Sequence, residues 1–423
     1  MSKNKLLFAA LCVLIAGKLS AQSARSPFSS FGVGDYFGTA LAHSQGMAGV
    51  GISNPQYWYL NNQNPALLVF NNYTTFEGGL LGERKNISDG ARSEKNTNGN
   101  MSYLILGFPL KRGRWVNSLG LLPYSTVNYK FSYSDAINGS TNTVLVTEEG
   151  AGGINQFSWS HGIALHRYLS IGGRVNYLFS SITNQYTNQL EQTNQPIIYN
   201  PSVYQRQNFS DFSFTGALSF HTDSLFRKNY RLNIGVVYDA KANVNTSLFE
   251  TLEFRNQLGV QDSVTLRNNQ PGRTVLPATL SAGISFGRGD RWVVGLDGVV
   301  SDFTQYREGF EKVNPPVQRG WKVALGGEIT PDPVSLSSYL KRMTYRTGVS
   351  FEESPYLING SPLKDFGINF GFSTPVSRYS SLDWAFRWGR RGSVTDNLVE
   401  ESYFRIYFGV TFNDQWFIKR RFD

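Results

Sequence analysis

One cysteine occurs in 423 residues, and Cys12 lies in the apolar run 6–15 near the N-terminus. Disulfides, thiolate nucleophiles and cysteine-ligated metals are thereby excluded from the rest of the chain. Histidine is nearly as scarce. His43, His161, His166 and His221 are scattered, without a second ligand at helical or hairpin spacing and a carboxylate close by, so no metal site is expected. Ser160 and His161 are adjacent, so in a strand they point to opposite faces and cannot form a hydrolytic pair. No enzyme and no cofactor are expected. Beyond the leader no run of about 20 apolar residues exists, which excludes a helical membrane anchor. Basic clusters are also missing: the formal charge is +9, and setting aside Lys3, Lys5 and Lys18 leaves +6 dispersed over many short segments. This speaks against nucleic-acid binding.

Lys3 and Lys5, the apolar run 6–15 and Leu19-Ser20-Ala21 before Gln22 read as a secretory signal peptide covering residues 1–21. Two-residue alternation is abundant in the remainder of the chain. From Thr279 to Arg288, Leu280, Ala282, Ile284 and Phe286 share one face, while Ser281, Gly283, Ser285 and Gly287 share the other. About fourteen such segments fill residues 73–413, each near the roughly 9 to 11 residues that a tilted strand needs to cross a bilayer. In lipid an open sheet edge is untenable, so the pattern predicts an all-β fold, a transmembrane antiparallel β-barrel. Connections alternate long and short. The long ones, including 83–100, 132–153, 186–207 and 249–275, are expected as outer loops, and the short ones as periplasmic turns. Aromatics at 14% and 42 glycines fit such a barrel.

The alternation also assigns faces. Val175, Val236, Leu325, Trp388 and Phe404 are expected toward lipid. Arg174, Asp239, Asp297, Lys322, Glu328, Arg346, Asp383 and Arg387 are expected toward a polar lumen. Gly283-Ile-Ser285-Phe-Gly287 matches a serine-nucleophile pattern, but it lies mid-strand rather than at a strand-to-helix turn, so small inward side chains are the better reading.

Residues 22–72 break the pattern. They carry Gly46, Gly49 and Gly51, whose spacing suits tight turns rather than dinucleotide binding, the aromatic cluster Tyr57-Trp58-Tyr59, and Asn64-Pro65-Ala66. Packed aromatics argue for a partner surface, and the simplest is the barrel interior, with this segment as a hatch or plug. Residues 414–423 are left as a periplasmic tail.

Three stretches resemble the FadL type of outer-membrane transporter for long-chain fatty acids and aromatic hydrocarbons. They are Gly46 to Gly51 with Asn64-Pro65-Ala66, Leu276 to Phe286 with Arg291 to Asp297, and Tyr345 to Pro355. The resemblance implies fourteen strands, an N-terminal hatch whose Asn64, Pro65 and Ala66 contact a kinked early strand, a hydrophobic ligand in the lumen, and passive release through a lateral opening. Arg174, Lys322 and Arg346 would be available to a ligand carboxylate. The expected location is the outer membrane of a Gram-negative bacterium, with outer-membrane lipid and a hydrophobic small molecule as partners. The alternative is a protein-interaction barrel resembling the PorV-type shuttle proteins of the type IX secretion system, with another outer-membrane or secreted protein as partner.

Overall fold

Strand chemistry dominates because side chains that alternate between apolar and small or polar fit a wall with lipid on one face and packed interior on the other. A computed structural model describes residues 24–137, 139, 143–190, 199–225, 229–256, 258–289, 291–310, 316–377 and 380–414. The expected signal peptide and residues 415–423 of the expected tail lie outside the described residues.

The N-terminal segment holds two 3-10 turns, Pro27–Ser30 and Pro65–Phe70, the strand β1 (Asp35–Tyr36) and one helical turn, Ala42–Gln45. The wall begins with β2 (Thr74–Ser88), β3 (Ser93–Lys111), β4 (Trp115–Pro123), β5 (Ser125–Ala136), β6 (Thr143–His166), β7 (Leu169–Leu190) and β8 (Asn200–Leu225). It continues with β9 (Tyr230–Asp239), β10 (Ala242–Asn256), β11 (Gly259–Leu276), β12 (Thr279–Arg288) and β13 (Trp292–Asp302). β14 (Arg319–Ile329), β15 (Thr344–Ile358), β16 (Ser361–Pro375), β17 (Ser380–Ser393) and β18 (Val399–Asp414) complete it. Pairing is antiparallel throughout, and β18 closes on β2 from Glu400↔Ser88 to Asp414↔Thr74.

Three pairs of segments are single strands with a break: β4–β5 at Tyr124, β9–β10 at Ala240 and Lys241, and β11–β12 at Pro277 and Ala278. One long neighbour pairs with both halves of the first two, β6 with β4 and β5, and β8 with β9 and β10. Fourteen physical strands result. Pro277 has no N–H to continue a ladder. Beside Tyr124, Gly152 and Gly153 take φ of +116° and +145°, and a Cβ on either would lie 2.3 Å from a neighbouring carbonyl oxygen.

Register places like with like. An outward row runs Ile234, Ile284, Leu296, Leu325, Val349, Ile368, Trp388 and Phe404 across eight neighbouring strands. One residue along, Asn233, Ser285, Gly295, Gly326, Gly348, Asn369, Arg387 and Arg405 form the matching inward row.

Two expectations need correction. The stretches 83–100, 132–153, 186–207 and 249–275 are largely strand rather than loop: β6, β7 and β8 run 24, 22 and 26 residues. Above the lipid both faces of a strand meet water, so alternation disappears although the ladder continues. Charge is not dispersed in space either. The short turns carry Lys111, Arg112, Arg114, Arg167, Arg288, Arg291, Lys341 and Arg342, all exposed, and chain folding brings them to one end of the barrel.

Candidate functional site in the lumen

The N-terminal segment lies inside the barrel on a belt of inward-facing glycines. Met47 sits over Gly326 and Gly348, Val50 over Gly295, and Ile52 over Gly235 and Gly283. Pro65 and Ala66 sit over Gly162 and Gly172, Leu60 over Gly107, Gly46 over Gly371 and Ala42 over Gly409. At each of these wall positions a Cβ would come within 3.0 Å of the segment. At Gly326, Gly348, Gly235, Gly162, Gly172 and Gly371 the segment atoms met are backbone, which cannot give way, and there the approach requires glycine. Met47, Val50, Leu60, Leu67 and Leu68 are buried as a result, and each such side chain contributes about 1.5–3 kcal/mol of hydrophobic stabilisation.

Of the three candidate turn glycines, only Gly49 has a left-handed backbone, with φ of +81°. Gly46 and Gly51 serve close packing: a Cβ on Gly51 would lie 2.0 Å from the Gln63 side-chain oxygen. Asn64 accepts from the Ala66 N–H at 2.9 Å and donates to the Ile52 carbonyl at 2.7 Å and the Leu218 carbonyl at 3.4 Å. The wall contacts made by Asn64, Pro65 and Ala66 are therefore with β6, β7, β8 and β9. Leu68 shares a buried apolar cluster with Val116 and Leu122 of the kinked strand's first half, β4.

The candidate lumen residues mostly grip this segment. Asp297 accepts the N–H groups of Gly51 and Ile52 at 2.7 and 2.9 Å. Arg174 donates to the Asn62 carbonyl at 2.6 Å and lies 3.7 Å from Asp239, which accepts from Thr215. Glu328 pairs with Arg346 at 2.9 Å and accepts from Gln56. Arg346 also donates to Ser373, which donates to Asp383. Asp383 accepts from the Tyr59 hydroxyl at 3.0 Å and from Thr411 at 3.2 Å. Arg387 stands apart from the segment, pairing with Asp365 at 2.8 Å. Lys322 projects toward Gly49 in the field of Glu352 and Asp297. Arg174 and Arg346, expected to await a ligand carboxylate, are engaged by the protein itself. Ser285 of the serine pattern donates to the Ser53 carbonyl at 2.7 Å, one more contact of wall with segment.

His43 stacks on Tyr59 with ring centroids 4.4 Å apart, and its Nδ1 lies 3.8 Å from Glu77. Burial, reinforced by Arg346, holds its pKa well below the usual imidazole range, so this contact is not an ion pair at neutral pH. Glu77 meanwhile accepts the Leu60 N–H at 2.6 Å.

A second set of contacts went unread in the sequence. Ser26 donates to Glu401 at 2.5 Å, Asp35 pairs with Arg391 at 2.8 Å, and Glu83 pairs with Arg405 at 2.5 Å. The first two tie the start of the segment to β18 and β17, while the third is a pair within the wall; a seam in the wall lies between β3 and β5. β3 pairs with β4 from Leu104↔Leu121 to Lys111↔Trp115, and among the described residues no ladder joins its outer half to β5. The β5 edge that faces the seam is taken from inside by Asp35↔Thr126, Tyr36↔Ser125, Ser26 N–H to Asn128 O at 2.8 Å and Phe37 N–H to Tyr124 O at 3.0 Å. Tyr36 packs edge-on against Tyr124 and Phe303, with centroids 5.3 and 5.5 Å away, yet keeps 39% of its surface open. Burial, then Tyr124 and Tyr356, lifts the Tyr36 phenol well above its ordinary range.

Known structures share this architecture. The CymD monoaromatic hydrocarbon channel aligns with a TM-score of 0.56 at 15% identity, over 91% of this chain and 99% of that one. The toluene transporter TbuX of Ralstonia pickettii gives 0.58 at 13%, over 88% and 98%, and a FadL homologue of Pseudomonas aeruginosa gives 0.57 at 12%, over 90% and 99%. At such identities the likeness is one of fold, and it is the fold that the FadL resemblance implied. No curated protein matches in sequence. A family model described as BamG matches residues 1–423, and the chain therefore belongs to the BamG family.

Proposed function

We propose that this protein is an outer-membrane channel through which small hydrophobic molecules pass passively, entering the lumen from the outer end and leaving sideways into the bilayer through the seam between β3 and β5. The seam carries the reading. It is the place among the described residues where neighbouring wall strands run without a shared ladder at the height of the aromatic patch around Tyr36, and only the hatch covers it from inside. An axial route is blocked by the glycine belt, where hatch backbone meets wall backbone. A lateral exit suits an apolar solute, which gains on transfer to lipid. The printed descriptions of the structural relatives, a monoaromatic hydrocarbon channel and a toluene transporter, support the same ligand class. In this reading the chain performs no covalent chemistry, and Asn64, Pro65 and Ala66 belong to the fixed part of the hatch.

The test is a lock. Asp35 and Thr126 are register partners, about 5 Å apart at Cα in an antiparallel ladder and within disulfide reach. In D35C/T126C cells under oxidising conditions, entry of N-phenyl-1-naphthylamine should fall to the rate of cells lacking the protein and recover on reduction. An unchanged rate with the cross-link formed would overturn the lateral route.

A second reading, docking of another outer-membrane or secreted protein, is favoured by the height of the outer wall. β8 spans 26 residues where about 9 to 11 cross a bilayer. Under that reading, shortening the outer hairpin of β10 and β11 should abolish co-purification of a partner while leaving naphthylamine entry unchanged.

A further inference from the structure

We infer that the rim carrying the short turns is a binding collar for anionic phospholipid, seated in the bilayer by the loop 331–343. The inference needs only that the barrel sits in a membrane, and stands apart from what passes through it. The eight exposed cations of the short turns are matched at that end, among the described residues, by three carboxylates, Asp223, Asp332 and Asp414. Asp332 is turned inward on its own loop, accepting the Val334 N–H at 3.3 Å. The opposite end is mixed in sign, with Glu94, Glu148 and Glu253 among Lys95, Lys130 and Arg255. The imbalance therefore belongs to the one rim.

Position decides between a lipid and a protein partner. Arg167 lies 4.3 Å over the ring of Tyr168, Arg288 lies 5.8 Å over Tyr230, and Arg342 lies 5.2 Å over Tyr339. Tyr230 in turn stacks on the outward Phe286 at 5.5 Å. These guanidiniums rest on the aromatic girdle, at the depth where headgroup phosphates lie. A patch built to meet a soluble protein would project its charges away from that plane.

The loop supplies a second observation. Val334, Leu336 and Leu340 are 80%, 103% and 64% exposed beside Lys341 and Arg342. The loop is nevertheless held in shape: Asp332 N–H donates to the Lys341 carbonyl at 2.8 Å, the Tyr339 hydroxyl to the Pro375 carbonyl at 2.9 Å, and the Tyr345 hydroxyl to the Leu340 carbonyl at 3.1 Å. An ordered loop that presents fully bared leucines next to paired cations has the chemistry of an interfacial anchor, apolar side chains in the acyl boundary and cations on phosphate.

The experiment offers the full-length protein in detergent equal amounts of phosphatidylglycerol and phosphatidylcholine with matched chains, and counts retained lipid by native mass spectrometry. The wild type should retain the anionic lipid over the zwitterionic one by about tenfold or more. R167E/R288E/R342E should lose that preference while keeping heat-modifiable migration, the sign of an intact barrel. Inorganic phosphate at millimolar concentration should not displace the lipid. L336C in a C12S background, labelled with bimane, should be quenched by nitroxide placed high on the acyl chain. Equal retention of the two lipids, an unaltered preference in the triple variant, displacement by inorganic phosphate, or a bimane signal that reports water would each overturn the collar.

Discussion

Single side chains of the wall decide how tightly the hatch is held. Asp297 gives one carboxylate oxygen to two backbone N–H groups, those of Gly51 and Ile52. Neither donor has a helix or sheet to return to, so D297A would strand both in the interior at a cost of about 2–5 kcal/mol. D297N, which keeps one acceptor, should lose less. Limited proteolysis of the segment around Ile52 in the folded barrel measures this, and equal protection in D297A and wild type would refute it. His43 adds a pH dependence. Its folded pKa is depressed by burial and then by Arg346, so as pH falls through about 6.5 the unfolded imidazole takes a proton that the folded one refuses. The contribution of neutral His43 is therefore present above that pH and is lost below it, by at most about 1.4 kcal/mol per pH unit. Labelling of M47C in a C12S background, each rate divided by that of a fully exposed cysteine at the same pH, should accelerate from pH 8 to pH 5, and H43Q should flatten the profile.

At the scale of elements, the glycine belt separates two kinds of wall position that look alike in sequence. A Cβ on Gly348 would lie 2.6 Å from the Met47 carbonyl carbon, whereas one on the outward Gly298 would meet nothing within 4 Å. G348V should loosen the hatch by about 1–3 kcal/mol while the barrel still forms, and G298V should leave both unaffected. Reactivity of S53C beside a heat-modifiability assay tells the two apart. The same contrast explains what was legible beforehand. Alternation revealed strands wherever one face meets lipid, as at Leu280 and Ile284 against Ser281 and Ser285, and it put Asp297 and Arg346 on the inner side. It failed above the lipid, where both faces of β8 meet water and polar residues such as Gln205 and Arg206 conceal a strand. Inward glycines such as Gly326 and Gly348 were visible as letters, but only the path of a segment some 280 residues earlier in the chain gives them a role. The kink at Tyr124 depends on Gly152 and Gly153 of the neighbouring strand, a pairing that no local pattern encodes.

For the whole molecule, wall and hatch are separable in a way that most cores are not. The wall closes through its own ladders, with β18 on β2 over fifteen register pairs, and the pairs Arg387–Asp365 and Arg405–Glu83 are satisfied without the N-terminal segment. What the segment supplies is filling: Met47, Val50, Leu60 and Leu68 occupy the interior of a barrel well beyond the roughly eight strands at which wall side chains alone fill it. Deleting residues 24–72 should therefore leave a barrel that inserts in planar bilayers and conducts ions in discrete steps, where the intact chain gives none. Its inner wall would then expose the carboxylates of Glu77, Asp297 and Asp383, relieved of their hatch donors, and replacing the three by their amides should lower the cation preference of the steps. Unaltered conductance after the deletion would show that the closure lies in the wall.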